Sequence, residues 1–249
     1  MSKVEVIPLT GVPEVKKGAD LAKLILEAVD RSRTPLIDGD VVVVKHKVVS
    51  KSEGRVVALS DVSPGREAIR LASDEGKDPR LVELVLREAV RVVRKGHGVI
   101  ITETRHGFVC ANSGIDQSNV GQGSAALLPL DPDTSAWRLR SALESATGKR
   151  LAVVVSDTFG RPWRKGQTDV AIGCSGIAPL VKYAGKTDAY GYRLRVTEPA
   201  VVDEIAGAAE LAIGKLNGIP FALVRGVGYT RGDGGLKELI MPPDKDLFR

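Results

Sequence analysis

The chain has 249 residues, 43% of them hydrophobic, with a formal net charge of +5 from 36 basic and 31 acidic side chains. A charged content of 27% is ordinary for a soluble globular protein and excludes wholesale disorder, and no apolar stretch reaches the ~18 residues of a membrane span. The first residues form no apolar signal segment and two cysteines make no disulfide framework, so we expect a cytoplasmic protein.

Hydrophobic periodicity predicts strands and helices mixed along the chain. In chain order we expect a strand at 3–8, a helix at 19–29, a strand at 41–44, a helix at 79–95, strands at 99–101 and 107–110, a helix at 135–147, strands at 151–155 and 192–196, a helix at 200–215 and a strand at 221–224. For the helix at 135–147 we expect Asp133 or Thr134 as the cap and Gly148 as the stop. Strands and helices do not alternate strictly, and no repeat or linker divides the chain. This favours an α+β fold and a single domain over residues 1–249.

Familiar nucleotide-binding loops are nearly present but incomplete. Gly185-Lys186-Thr187 ends like a P-loop, but Leu180 stands where the first glycine of that motif belongs. Gly226-Val227-Gly228 follows a strand like a dinucleotide fingerprint, but Arg231 replaces its third glycine. Any nucleotide must therefore be bound in another way.

Two carboxylates follow apolar strands and are candidates for a metal site. Asp116 lies in a segment rich in amides and hydroxyls, and four of the six carboxamides in the chain lie between residues 112 and 122. Asp157 follows a run of valines and precedes Thr158. Oxygen ligands of this kind suit Mg²⁺ or Mn²⁺, which keep waters and phosphate oxygens in their remaining positions. The alternative for the first segment is an Asx-turn or a helix cap.

Cationic side chains accompany these carboxylates. Arg161, Arg164 and Lys165 surround Trp163 in a cluster suited to phosphate or carboxylate recognition, although it is also typical of a solvated loop. Lys51 follows the buried strand at 41–44 and can neutralise a phosphate. The residues alone predict a metal-dependent enzyme that acts on an anionic substrate of nucleotide type.

Several of these segments occur together, and in the same order, in one known family. The shared motifs are Gly11-Val12-Pro13, Asp38-Gly39-Asp40, Val49-Ser50-Lys51-Ser52-Glu53-Gly54-Arg55, Gly114-Ile115-Asp116, Ser118-Asn119-Val120, Leu128-Pro129-Leu130-Asp131-Pro132-Asp133, Asp157-Thr158 with Gly160-Arg161, and Val202-Asp203-Glu204-Ile205-Ala206. Over essentially its full length the chain resembles the F420-0:gamma-glutamyl ligases. The segment 161–169 and the terminal Asp246-Leu247-Phe248 are most similar to the bacterial form, which is often fused to a flavin-binding domain; we expect this chain, which stops at Arg249, to lack that domain.

The resemblance implies a GTP-dependent ligase with a two-lobed, mixed-sheet α+β subunit that forms homodimers. Members join L-glutamate to the lactyl-phospho tail of coenzyme F420-0 through an acyl phosphate, and then add further γ-glutamyl links. They use Mg²⁺ or Mn²⁺ and are stimulated by K⁺. F420-0, L-glutamate and GTP are therefore the expected partners, with no membrane and no nucleic acid.

The resemblance also implies roles for particular residues. Asp116, Asp157 and Thr158 would be metal ligands, and the two aspartates would be catalytic. Arg164 is a further catalytic candidate, which rests on its cationic cluster and not on the resemblance. The expected GTP contacts are Val12, Pro13, Glu14, Val15, His46, Lys47, Lys51 and Asn119. Archaeal members carry a glutamate for a second metal after the helix that begins near Asp203, whereas this chain has Lys215 there.

Two other functions are consistent with part of the pattern. A metal-dependent phosphatase or nucleotide hydrolase would need the same metal site. A nucleic-acid-binding module is consistent with a pI of about 9.2, but aromatic residues make up only 4% of the chain and its charges are mixed.

Overall fold

Residues 3–248 are described by a computed structural model, which has the expected α+β class. Its strands are β1 Glu5–Leu9, β2 Val41–Lys45, β3 Val56–Ala58, β4 Ala89–Gly96, β5 Val99–Thr104, β6 Val109–Ala111, β7 Ser124–Ala126, β8 Ala152–Arg161, β9 Arg164–Ser175 and β10 Phe221–Arg225. Its α-helices are α1 Leu21–Arg31, α2 His46–Ser52, α3 Arg66–Glu75, α4 Pro79–Glu88, α5 Pro132–Thr147 and α6 Val201–Ile213. Short 3-10 turns lie at Leu59–Asp61, Asn112–Gly114 and Leu236–Leu239.

The larger lobe is built on a five-stranded mixed sheet with the order β1-β10-β2-β8-β9. Strands β2 and β8 run parallel, and the other neighbouring pairs in this sheet are antiparallel. Val41–Val44 are fully buried, as expected for a central strand made of a β-branched run. Lys45 pairs with Ser156 in the parallel register, so the carboxyl end of β2 lies beside the middle of β8. The residues that follow β2 therefore lie close to Asp157 and Thr158 of β8.

The smaller lobe lies between α2 and α5 in the chain and has a hydrophobic core of its own. Leu71 of α3, Val82 of α4 and Ile100 of β5 are among the residues buried in it. The pair β3–β7 and the sheet β4-β5-β6 complete this lobe. Two cores match the expected two-lobed subunit, while the assignment of both lobes to one domain stays a prediction.

The predicted helix at 79–95 is wrong in its second half. Helix α4 has the expected start, where Asp78 accepts a hydrogen bond from Arg80 N at 2.8 Å, but it ends at Glu88. Residues 89–96 form β4 and pair antiparallel with β5. The valines at 90, 92 and 93 extend the helical stripe in sequence, but β-branched residues also favour a strand, and pairing with β5 decides between the two.

Other boundaries also differ from expectation. The predicted strand at 192–196 is absent, and one isolated bridge between Thr187 and Arg193 takes its place in an exposed segment. Strand β8 continues past Val155 to Arg161 and turns back into β9 as a long hairpin. Asp131, rather than Asp133 or Thr134, caps α5 by accepting from Thr134 N at 2.9 Å. Within residues 3–248, no helix is both long and apolar enough to span a membrane.

Candidate functional site

The junction between β2 and α2 brings the predicted site residues together. Lys45 ends β2, and His46 and Lys47 open α2 with no loop between them. Side-chain directions change where a strand becomes a helix, so the three side chains reach different parts of the chain. Lys45 contacts Asp169 and Glu210, His46 contacts Asp157, and Lys47 contacts Asp116. Four carboxylates therefore surround one short segment.

Asp116 forms the more open side of this site. Its Oδ2 lies 2.7 Å from Lys47 Nζ, and its Oδ1 accepts a hydrogen bond from Ser118 N at 2.7 Å. Burial by itself raises the pKa of Asp116, but the hydrogen bonds from Lys47 and Ser118 outweigh it and hold the pKa below its ordinary 3.8. The side chain keeps 43% exposure, so this carboxylate is charged and accessible.

Asp157 lies beside a buried histidine. Its Oδ1 accepts a hydrogen bond from Thr158 N at 2.7 Å and lies 3.2 Å from His46 Nε2. That second approach does not have hydrogen-bond geometry, and the buried Nε2 has no hydrogen-bond partner among the described residues. On the other side of the ring, Nδ1 lies 3.5 Å from Ser50 Oγ. The Asp157 carboxylate thus lies beside a buried imidazole ring.

Asp169 is a site residue that the sequence analysis did not identify. Its side chain is fully buried, and it accepts hydrogen bonds from Lys45 Nζ, Ser156 Oγ (3.0 Å) and Thr158 Oγ1 (2.7 Å). Burial raises its pKa, but the hydrogen bond and charge of Lys45, with smaller contributions from Thr158 and Lys215, bring the pKa below the ordinary value. Asp169 is therefore a buried carboxylate that stays ionised.

Glu210 was also missed, and it closes this buried side from helix α6. Its Oε2 accepts from Lys45 Nζ and its Oε1 lies 2.8 Å from Lys215 Nζ. Burial lowers the pKa of Lys215, but the hydrogen bond to Glu210 and the charge of Asp169 raise it by more, so the net shift is upward. The signal for Glu210 was available, since it is a carboxylate in the apolar second half of a predicted helix.

The predicted metal ligands separate into two groups. Asp157 and Thr158 are consecutive on β8, so their side chains leave opposite faces of the sheet. Asp157 faces His46, and Thr158 Oγ1 faces Asp169 and Lys215. Among residues 3–248, no group of three or more His, Cys, Asp or Glu side chains is placed to hold a metal ion.

The carboxylates of Asp116 and Asp157 nevertheless fit a divalent cation. Both are oxygen donors that keep some exposure, at 43% and 13% of the side chain. Mg²⁺ usually takes one or two carboxylates from a protein and completes its shell with water and substrate phosphates. These two aspartates would hold such an ion, and their metal role stays a prediction.

Two of the predicted nucleotide residues lie on one face of α2, and four others form a turn next to it. Lys47 and Lys51 are four residues apart and so lie on the same face of the helix. Lys51 Nζ is 2.5 Å from Glu14 Oε1, which ties α2 to the turn at 12–15. In that turn Val15 is buried and Val12 packs against the core, while Pro13 and Glu14 are exposed.

Asn119 lies three residues beyond Asp116, in an exposed turn with a φ of 57°. It extends the same open side of the site from the smaller lobe. The predicted GTP contacts therefore come from the two lobes, and both sets adjoin α2.

Arg164 lies apart from the carboxylates. It begins β9 opposite Arg161, at the exposed tip of the β8–β9 hairpin. Arg164 precedes Asp169 by five positions along the strand, which corresponds to about 17 Å. At the tip the Trp163 ring packs 4.6 Å from Phe248, centroid to centroid. The structure gives Arg164 no described contact with the junction, and its catalytic role stays a prediction.

Comparison with known proteins identifies the family. The family model described as F420-0:gamma-glutamyl ligase matches residues 11–226. Coenzyme F420:L-glutamate ligase of Methanothermobacter thermautotrophicus is 45% identical, with 99% of both chains covered. The proteins of the same name from Methanocaldococcus jannaschii and Methanopyrus kandleri are 44% and 43% identical, with 99% of this chain and 97% of each relative covered. These relatives do not test the predicted similarity to the bacterial form. They and the family model establish that the chain belongs to the F420-0:gamma-glutamyl ligase family.

Proposed function

We propose that this protein is a GTP-dependent ligase that joins L-glutamate to coenzyme F420-0 and adds further γ-glutamyl units. Family membership and relatives named coenzyme F420:L-glutamate ligase support the acceptor and the amino acid. The observation that carries the proposal is the β2–α2 junction, where Lys47 and Lys51 line one helix face beside Asp116 and Asp157. Ammonium groups next to carboxylates that can bind a metal ion suit a nucleoside triphosphate.

The chemistry explains why a nucleotide is needed. A carboxylate is a poor electrophile, because its charge repels an amine and oxide is a bad leaving group. In the proposed first step a carboxylate oxygen of the acceptor attacks the γ-phosphorus of GTP, and GDP leaves. The glutamate amine then attacks the acyl carbon, inorganic phosphate leaves and the amine loses its proton. Water must be excluded meanwhile, since it would hydrolyse the acyl phosphate.

The residues of the junction have distinct parts in this scheme. Lys47 and Lys51, now paired with Asp116 and Glu14, exchange these partners for phosphate oxygens when GTP binds. Asp116 is thereby released from Lys47, and together with Asp157 it would hold Mg²⁺ or Mn²⁺, which when bound would neutralise charge on the phosphates. His46 packs against the Asp157 carboxylate from its buried side. K⁺ stimulation and a homodimer belong to the same proposal.

The hairpin tip is proposed to bind an anionic group. Arg161, Arg164 and Lys165 are exposed there, and their positive charges suit the phosphorylated tail or the incoming glutamate. Arg164→Ala should raise the KM of one of these two substrates. Unchanged KM values for both would exclude this role.

The decisive experiment is mass spectrometry of the purified protein incubated with F420-0, L-glutamate, GTP and Mn²⁺. Successive glutamyl mass increments, with GDP and phosphate formed in step, are expected. ATP in place of GTP serves as the nucleotide control. Phosphate release that does not depend on the acceptor would favour the phosphatase or nucleotide hydrolase alternative instead.

A further inference from the structure

One side chain lies where three oxygens of the site converge. Lys215 Nζ is 2.5 Å from Thr158 Oγ1, 2.8 Å from Glu210 Oε1 and 3.3 Å from Asp169 Oδ1. These oxygens come from β8, β9 and α6, so three elements surround one ammonium group. An oxygen cage around a positive charge is the arrangement expected for a bound cation.

The local backbone holds Lys215 in this position. Helix α6 ends at Ile213, and Gly214 has a φ of 64°, a conformation that turns the chain sharply at little cost for glycine. Asn217 Nδ2 donates to Ile213 O at 2.9 Å and caps the last turn of the helix. The side chain of Lys215 is 54% exposed along its stem and head together, while its ammonium still reaches the buried carboxylate of Asp169.

The charges around the cage are already balanced. Asp169 and Glu210 supply two negative charges, and Lys45 and Lys215 supply two positive ones. The oxygens Oδ2 of Asp169 and Oε2 of Glu210 face Lys45, and the remaining two face Lys215. A divalent ion in the cage would lie next to the Lys215 ammonium. The carboxylates are already neutralised, so nothing would offset the repulsion between the two cations. The hydroxyl of Thr158 therefore does not fit as a ligand of a divalent metal in this chain.

We propose that Lys215 is a tethered cation that permanently fills the cage of Thr158, Asp169 and Glu210. It is a positioning residue, which fixes the Thr158 hydroxyl and keeps divalent ions on the Asp157 face of β8. The inference rests on the proposed function only for the divalent ion at Asp116 and Asp157. The proposal is tested by counting bound metal ions in the absence of substrates. A negative result there is therefore distinguishable from a failure of the protein to add glutamate.

The experiment measures the number of Mn²⁺ ions bound per chain, by electron paramagnetic resonance of free Mn²⁺ at fixed pH, for three full-length proteins. Lys215→Ala removes the ammonium and opens the cage, and should bind one Mn²⁺ more per chain than the wild type. Lys215→Arg keeps the charge and should bind the same number as the wild type. Lys215→Gln replaces the alanine variant if circular dichroism shows that the latter is unfolded.

A double variant locates the extra ion. Glu210→Gln added to Lys215→Ala should abolish the additional Mn²⁺, because one cage carboxylate is neutralised. Equal Mn²⁺ numbers for the wild type and the charge-removing variant would overturn the proposal. So would an additional ion that persists in the double variant, since it would then be bound outside the cage.

Discussion

The carboxylates on the two sides of the β2–α2 junction differ in burial and in the number of their lysine partners. On the open side Asp116 is 43% exposed and has one lysine partner, Lys47. On the closed side the Asp169 side chain is fully buried and two lysines neutralise it together with Glu210. Lys45 pairs with the carboxylates of the closed side and Lys47 with that of the open side, although only His46 lies between them in sequence.

This difference indicates which ion pairs can be replaced by a ligand and which are permanent. The Lys47–Asp116 pair is partly exposed and so contributes less to stability than a buried pair, which lets Lys47 leave Asp116 for a phosphate at smaller cost. A buried pair is costly to break, because one charge is left in a poorly solvated interior. The open side is therefore suited to binding ligands that come and go, and the closed side to holding the site in shape.

The largest effect is expected from Asp157→Asn, which removes the charge of a proposed metal-binding carboxylate and keeps the size of the side chain. We expect ligase kcat to fall by about a thousandfold, since the bound cation is worth several kcal/mol of charge stabilisation. Steady-state kinetics at saturating Mn²⁺ measure this. Asp61→Asn on the smaller lobe is the control and should leave kcat unchanged, and a decrease for both variants would contradict a specific role.

Lys45→Met tests the closed side by leaving Asp169 with fewer partners. The free energy of unfolding should fall by about 3 kcal/mol, the range seen when one partner of a buried pair is removed. Urea denaturation followed by circular dichroism gives the value. The matched control is Lys3→Met, whose partner Glu5 is exposed, and it should leave the midpoint unchanged. Equal changes in the free energy of unfolding of Lys45→Met and Lys3→Met would contradict the idea that burial makes the Lys45 ion pairs more stabilising than the Lys3–Glu5 pair.

Lys47→Met tests whether the open lysine binds phosphate. The KM for GTP should rise about tenfold, because a charge-assisted hydrogen bond to the nucleotide is lost. The free energy of unfolding should change less than for Lys45→Met, because the broken pair is partly exposed. Lys95→Met removes an exposed lysine paired with Asp74 in the smaller lobe and is the control. A lower free energy of unfolding without a change in the KM for GTP would show that Lys47 stabilises the fold and does not bind phosphate.

The smallest effect concerns Asp203 of α6, a largely buried carboxylate with no lysine partner in the described structure. Burial raises its pKa, and the hydrogen bond from Ala171 N (2.9 Å) offsets this only in part. Because the folded pKa is raised, the contribution of Asp203 to stability is complete below its ordinary 3.8 and is lost as pH rises through the folded value.

Asp203→Asn removes this titration and keeps the size of the side chain. The wild type should therefore lose stability relative to the variant as pH rises from about 4 to about 7. Chemical denaturation at several pH values measures the difference. A constant difference across that range would show that Asp203 does not titrate with a raised pKa.

Local patterns in the sequence were enough for much of the fold. The buried valine runs of β2 and β8, the apolar stripe of α6 and the start of α4 each carry their own periodicity or cap, so they were predicted correctly. The second half of the 79–95 segment was not, because valines there satisfy a helical stripe and a strand equally, and only pairing with β5 decides.

For the site, the sequence by itself determined the chemical groups: carboxylates at Asp116 and Asp157, lysines after β2, and the motifs of the family. The tertiary structure decided which carboxylate each lysine neutralises. Asp169 and Glu210 are distant from Lys45 in sequence, and no local pattern shows that three elements converge on Lys45 and Lys215. Burial and pairing depend on the whole packed sheet, and they set which charges are free to meet a ligand.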